Sequence, residues 1–140
     1  MKNLQAAAEL LRQGPYTCIL CRQGRFLTSE KRGITPLLCW LEEDRLRESC
    51  VADKIIGKAA ALLLILGGAE AVHGEVMTRT AYALLREKGL SVSYGELTET
   101  IVNRKGDGPC PMELAVKNLE DPALAPAALR AALKGLQNKN

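Results

Sequence analysis

Two features of this sequence predict an α/β fold, a sheet with helices packed on its faces. Stretches of strand character alternate with stretches of helical spacing along most of the chain. In the middle of that order, residues 59–66 form an unbroken apolar run. A bilayer span needs about 20 apolar residues, so this shorter run reads as a helix buried in protein on all sides. At 140 residues the chain suits one domain, 1–140, large enough to enclose such a helix.

The elements follow in order. Residues 3–13 place Leu4, Ala7, Ala8 and Leu11 on one helical face, and Gly14-Pro15 ends that helix. Residues 16–22 are β-rich, and Gln23-Gly24 turns the chain into 25–28 as a β-hairpin. Thr35 is the expected N-cap of the next helix and Pro36 its first residue, with Leu37, Leu38, Trp40 and Leu41 inward. Residues 52–66 then read as one central helix, with Asp53 near its start and Gly67-Gly68 as its stop.

Beyond it, 69–76 is expected as a central strand, 78–88 as a helix closed by Gly89, and 90–94 as a short strand. Residues 98–103 read as a further strand, with a short helix as the alternative, and 105–108 as a loop. Pro109-Cys110-Pro111-Met112-Glu113 opens a helix running to about Asn118, and the last helix, 126–136, is expected to pack on the outside.

Composition narrows the function classes. With 47% hydrophobic and 25% charged residues the chain resembles an ordinary globular protein. The net charge of +3 is spread among acidic neighbours, and one Phe, one Trp and three Tyr offer little stacking surface, so nucleic acid is not an expected partner. The amphipathic start, which carries Glu9, lacks the apolar core of a signal peptide, and no membrane segment is expected. Cytoplasmic location follows, with the five cysteines reduced.

Three places invite chemistry. In a helix over 52–66, Lys54 and Lys58 would share a face, with Asp53 and Gly57 on the adjoining stripe. Gly57 costs roughly 1 kcal/mol inside a helix, a cost that close approach of a ligand or of another backbone would explain. Helix amides and two ammonium groups suit a phosphate or carboxylate; the alternative is that the lysines reach solvent. The second place joins Asn103 and Arg104, an anion fork, to Cys110 and Glu113. Cys110 at a helix start is a candidate nucleophile or redox thiol. Glu113 is a candidate acid/base group, a partner for Lys54 or Lys58, or a capping residue of its own helix.

The third place is metal, and no metal site is expected. Cys18 and Cys21 match C-x-x-C, but on a strand they point to opposite faces. The one histidine, His73, precedes Glu75 in an H-x-E on a strand, a pattern that a half-buried strand also produces without chemistry. A Cys–His pair would need Cys50 or Cys110 to reach His73. The standard phosphate-binding glycine loops are absent.

The combination of D-K-I-I-G-K-A-A-A at 53–61, I-V-N-R at 101–104 and C-P-M-E at 110–113 resembles a family of small uncharacterised bacterial proteins placed in the cytidine-deaminase-like superfamily. The resemblance covers roughly residues 5–120 and implies a three-layer α/β/α domain around a mixed sheet. In that superfamily, H-x-E and P-C-x-x-C motifs at the starts of two core helices hold a catalytic zinc. Here residues 50–54 and 77–80 carry neither motif, and 109–113 matches only half of the second. The expectation is therefore a deaminase-like scaffold without catalytic zinc or other cofactor. It would bind a nucleotide or sugar-phosphate type anion at Asp53, Lys54, Gly57, Lys58, Asn103 and Arg104. The alternative is an enzyme using Cys110 with Glu113 or a lysine beside it. A homo-oligomer through Trp40 or the last helix is the remaining partner expectation.

Overall fold

A computed structural model describes residues 2–137; Met1 and residues 138–140, which the single-domain expectation includes, lie outside them. The chain runs α1 (Lys2–Gln13), β1 (Cys18–Arg22), β2 (Arg25–Ser29), α2 (Thr35–Glu42), β3 (Cys50–Ile56) and α3 (Lys58–Gly67). It continues through β4 (Ala71–Thr78), α4 (Arg79–Glu87), β5 (Ser91–Thr98), α5 (Pro111–Val116) and α6 (Ala125–Gln137). The five strands form one mixed sheet ordered β2-β1-β3-β4-β5. β1 is antiparallel to β2 and β3, whereas β3, β4 and β5 are parallel. The architecture is three-layer α/β/α.

On one face lies α1, whose Ala7, Ala8 and Leu11 pack against Ile19 of β1 and Ala52 of β3. The other face carries α2, α3 and α4, and the main core joins their apolar residues to Leu20, Val51 and Val72 of the sheet. Within this layer α3 is enclosed: residues 59–64 are all buried, with α5 and α6 packed over the side away from the sheet. The apolar run is thus enclosed over most of its length, with Ile65 half-buried and Leu66 exposed at its end. It stops at Gly68, whose φ of 84° is the left-handed conformation that a side chain would strain.

Several local expectations hold. Gln23 and Gly24 both have positive φ, 53° and 75°, which is the turn that matches the twist of a two-residue hairpin. The helix expected from Thr78 begins one residue later, at Arg79: Thr78 ends β4 and caps α4 by accepting the Ala81 amide at 3.1 Å. Gly89 takes φ 86° just past the helix.

The long central helix is corrected. Residues 50–56 form β3, and helix begins only at Lys58. The segment Cys-Val-Ala-Asp-Lys-Ile-Ile has β-branched residues at both ends, and it finds hydrogen-bonding strands on both sides, β1 and β4. Gly57, extended at φ −112° and ψ −170°, separates the two elements. Asp53 therefore sits in a strand rather than at a helix start, and Lys54 and Lys58 do not share a helical face.

Smaller corrections concern segment ends. The N-cap position of α2 falls on Ile34 instead of Thr35, with no side-chain cap. The strand expected over 90–94 extends to Thr98 as the sheet's edge. Residues 98–103 are not a separate strand: beyond Thr98 only Val102 makes a bridge, to Pro109, which closes an irregular loop. The final helix lies over α3 and α5, yet it buries Ala125 and Leu129 completely.

Candidate functional site

At the carboxyl end of β3 the layers part into an open cleft of about 910 Å³. In a parallel arrangement this is the end where ligands commonly sit, because the loops there diverge to neighbouring elements. The start of α2 (Gly33, Ile34, Thr35), the end of β3 and the start of α3 (Gly57, Ala59, Ala60) line it. So do residues 101–105, Asp107, residues 110–113 and the end of α6. Six of the eight expected site residues come together here: Asp53, Gly57, Asn103, Arg104, Cys110 and Glu113. A smaller hollow of about 400 Å³ beside Arg86 and residues 89–92 contains none of them.

Asp53 forms part of the floor and is buried. It lies opposite Cys18 in the β1–β3 register, and its Oδ1 accepts the Ile55 amide at 3.3 Å. Burial raises its pKa from the usual 3.8 to about 7, against the smaller opposing effects of the Ile55 amide, the Cys18 thiol and the Lys54 amide. The Cys18 thiol is pushed well up as well, first by burial and then by the nearby carboxylate. Lys54, the next residue along the strand, points to the opposite face and is exposed away from the cleft.

The start of α3 is closed by Glu113. Its Oε1 accepts the Lys58 amide and its Oε2 the Ala59 amide, both at 2.8 Å. The helix amides that were expected to hold an external anion already hold the protein's own carboxylate. Glu113 caps α3 from another element instead of capping α5. A Cβ on Gly57 would overlap this carboxylate and lie 2.6 Å from Ile101 Cδ1. The close approach that explains Gly57 is thus a side-chain carboxylate from α5. The Lys58 ammonium donates to the Lys117 carbonyl at 2.9 Å, turned outward from the cleft.

Asn103 shapes the loop. Its side-chain amide donates to Asp107 Oδ1 at 2.9 Å, and its Oδ1 accepts the Asp107 amide at 3.2 Å. That closure presents Arg104 and Lys105 at the rim, with Arg32 also on the lining. Among the described residues these three cations form no ion pair. Arg32 and Lys105 are rim residues that sequence reasoning missed; nothing in their local spacing ties them to the cleft. Cys110, half-buried, holds the N-cap position of α5, and its amide donates to the Ile101 carbonyl at 3.0 Å. Glu113 is engaged with α3 and is not aimed at this thiol as a base.

The zinc that a deaminase-like fold implies does not fit the residues present. The two core helices bordering the cleft begin with Thr35-Pro36 and Lys58-Ala59-Ala60, which supply no thiolate, imidazole or carboxylate. Among the described residues no group of three His, Cys, Asp or Glu side chains is placed to hold a metal ion. No described helix is long and apolar enough to cross a membrane.

Fold and site define a mixed α/β protein with a cationic-rimmed cleft at the carboxyl end of a parallel strand. The chain belongs to the family described as TM1506, domain of unknown function (DUF1893), whose model matches residues 6–133. It is similar in structure to a DUF1893 family protein (TM1506) from Thermotoga maritima, with a TM-score of 0.81 and 28% identity. That match covers 96% of this chain and 90% of the other. No curated protein matches the chain.

Proposed function

We propose that this protein binds a small anionic ligand of nucleotide type in the β3 cleft, on a deaminase-like scaffold without catalytic zinc. The observation that carries the reading is the cleft of about 910 Å³ with Arg32, Arg104 and Lys105 at its rim and buried Asp53 on its floor. Its volume is in the range of small-molecule sites. Ile34, Ile55, Ile101, Val102, Met112 and Leu133 contribute apolar walls. Such walls favour a flat, partly apolar body over a sugar phosphate, whose hydroxyls would find few partners. The anion's seat is the rim, because Glu113 fills the start of α3. The sheet order, with antiparallel β1 between β2 and the parallel β3, supports the deaminase-like scaffold. Free cysteines at positions 18, 21, 39, 50 and 110 suit a reducing, cytoplasmic setting.

Thermal melting with a panel of nucleotides and sugar phosphates tests this. A ligand at 100 times its Kd adds about 2.7 kcal/mol of stability, a shift of several degrees. Arg104→Ala should lose at least about tenfold in affinity, as expected for a charged hydrogen bond, while Lys54→Ala should bind normally. No shift with any compound, or equal loss with both substitutions, would overturn the reading.

A further inference from the structure

On the opposite face of the sheet, the H-x-E of β4 meets a serine that the sequence did not bring to notice. His73 and Ser93 are register partners on the parallel strands β4 and β5. His73 Nδ1 lies 2.7 Å from Ser93 Oγ. Its Nε2 lies 3.5 Å from Glu75 Oε1, and the same carboxylate oxygen accepts from Arg12 Nε of α1 at 2.6 Å. The Arg12 guanidinium also sits 3.4 Å from Nε2. His73 is buried, whereas Ser93 is exposed on the edge strand. The order is a reachable hydroxyl, a desolvated imidazole and an anchored carboxylate, the arrangement that defines an activated nucleophile.

We propose that Ser93 is such a nucleophile, with His73 as its general base, accepting acyl groups from small activated esters. With the ring proton on Nε2, facing Glu75, Nδ1 accepts the Ser93 hydroxyl. As Oγ bonds to the acyl carbon, its proton passes to Nδ1. The leaving alkoxide departs with the electron pair of its bond to that carbon and takes the proton from His73. Water then cleaves the acyl-serine by the same route, returning the carboxylic acid. Glu75, 3.5 Å from Nε2, is the positioning residue that favours this tautomer over the one in which Nε2 accepts from Arg12 at 3.4 Å.

The edge of the sheet supplies an oxyanion donor. The Ser91 amide bonds across to Glu70 of the β4 side. Successive strand amides alternate sides, so the Tyr94 amide, adjacent to the nucleophile, points to the open edge. Because the sheet face around Ser93 is open, small acyl groups are the class it would take. Burial lowers the His73 pKa from its usual 6.5, opposed by Glu75 and reinforced by Arg12. The charged groups facing the ring are thus Arg12 from α1 and Glu75 from β4, and the β3 neighbour is the uncharged Ala52.

The test treats the protein with 4-nitrophenyl acetate and follows nitrophenolate release, intact mass and peptide mapping. Ser93-dependent nitrophenolate release is expected, with one acetyl group on Ser93 in samples quenched in acid during turnover, both absent in Ser93→Ala. His73→Gln should slow the release by at least about 100-fold. In the unmodified protein the acetylation rate should level off above an inflexion below pH 6.5, and Glu75→Gln should move that inflexion lower. Nitrophenolate release that is unchanged in Ser93→Ala, an unchanged rate in a folded His73→Gln, or a rate rising with hydroxide without an inflexion would each overturn the proposal. The pH profile decides if His73→Gln does not fold.

Discussion

Glu113 and Lys58 are 55 residues apart in the chain, yet the Glu113 carboxylate accepts the Lys58 backbone amide at 2.8 Å and completes the first turn of α3. With the Ala59 amide on its second oxygen, this one side chain ties the most buried helix to the segment that walls the cleft. The N-cap residue, Gly57, has no side chain to do so. Removing the carboxylate leaves two amide donors without their partner at a part-buried helix end. Glu113→Ala is expected to destabilise the protein by about 1–3 kcal/mol in urea unfolding. Glu113→Gln should fall between, since one acceptor oxygen remains.

Gly57→Ala should also destabilise, although Ala is usually the better residue near a helix. The new Cβ would occupy the space of the Glu113 carboxylate and crowd Ile101. Both substitutions break the same contact. A double-mutant cycle with Glu113→Ala should therefore show a loss smaller than the sum of the two, by about 0.5 kcal/mol or more. Strict additivity would mean that Gly57 serves something other than this carboxylate.

Asp53 gives a pH dependence of definite sign. Its folded pKa of about 7 stands above the usual 3.8, so between these values the folded state holds the proton more tightly than the unfolded chain. Stability from this group is present in acid and is lost as pH rises through that window. At about 1.4 kcal/mol per pH unit, the loss is on the order of 4 kcal/mol at most. Asp53→Asn removes the ionisation. Its stability should match that of the unmodified protein near pH 4 and exceed it above pH 7, measured by denaturant unfolding across pH. Parallel curves for the two proteins would contradict the burial argument.

Thiol labelling should divide the cysteines. Cys39 and Cys110 are partly exposed, whereas Cys18, Cys21 and Cys50 are buried. Burial also raises the pKa of each of the latter three, which withholds the reactive thiolate. Native alkylation followed by mass spectrometry should add two groups rapidly, and the remaining three only after unfolding.

Leu63 is fully enclosed between the sheet and the outer helices. Leu63→Ala should cost about 2–5 kcal/mol through lost burial and the cavity left behind. Leu66, on the exposed tail of the same helix, should lose far less on the same substitution.

Local chemistry made much of this fold legible. The apolar run could only be a buried helix, Gly68 could stop it, Gln23-Gly24 could turn a hairpin, and Gly89 could close α4. Each depends on residues within a turn or two of one another. The place of Asp53 and Lys54 was not legible, because a short segment with apolar residues at both ends satisfies strand and helix alike. The two strands beside it settled the matter by taking its backbone hydrogen bonds. The cleft residues were recognisable as chemical types, and six of the eight do meet. That Glu113 reaches α3, and that Ser93 lies 2.7 Å from His73, was decided only by the tertiary structure. Spacing along a chain encodes which side chains share a face of one element. Which elements then lie side by side is set by burial of the whole apolar surface at once, and that choice has no local signature.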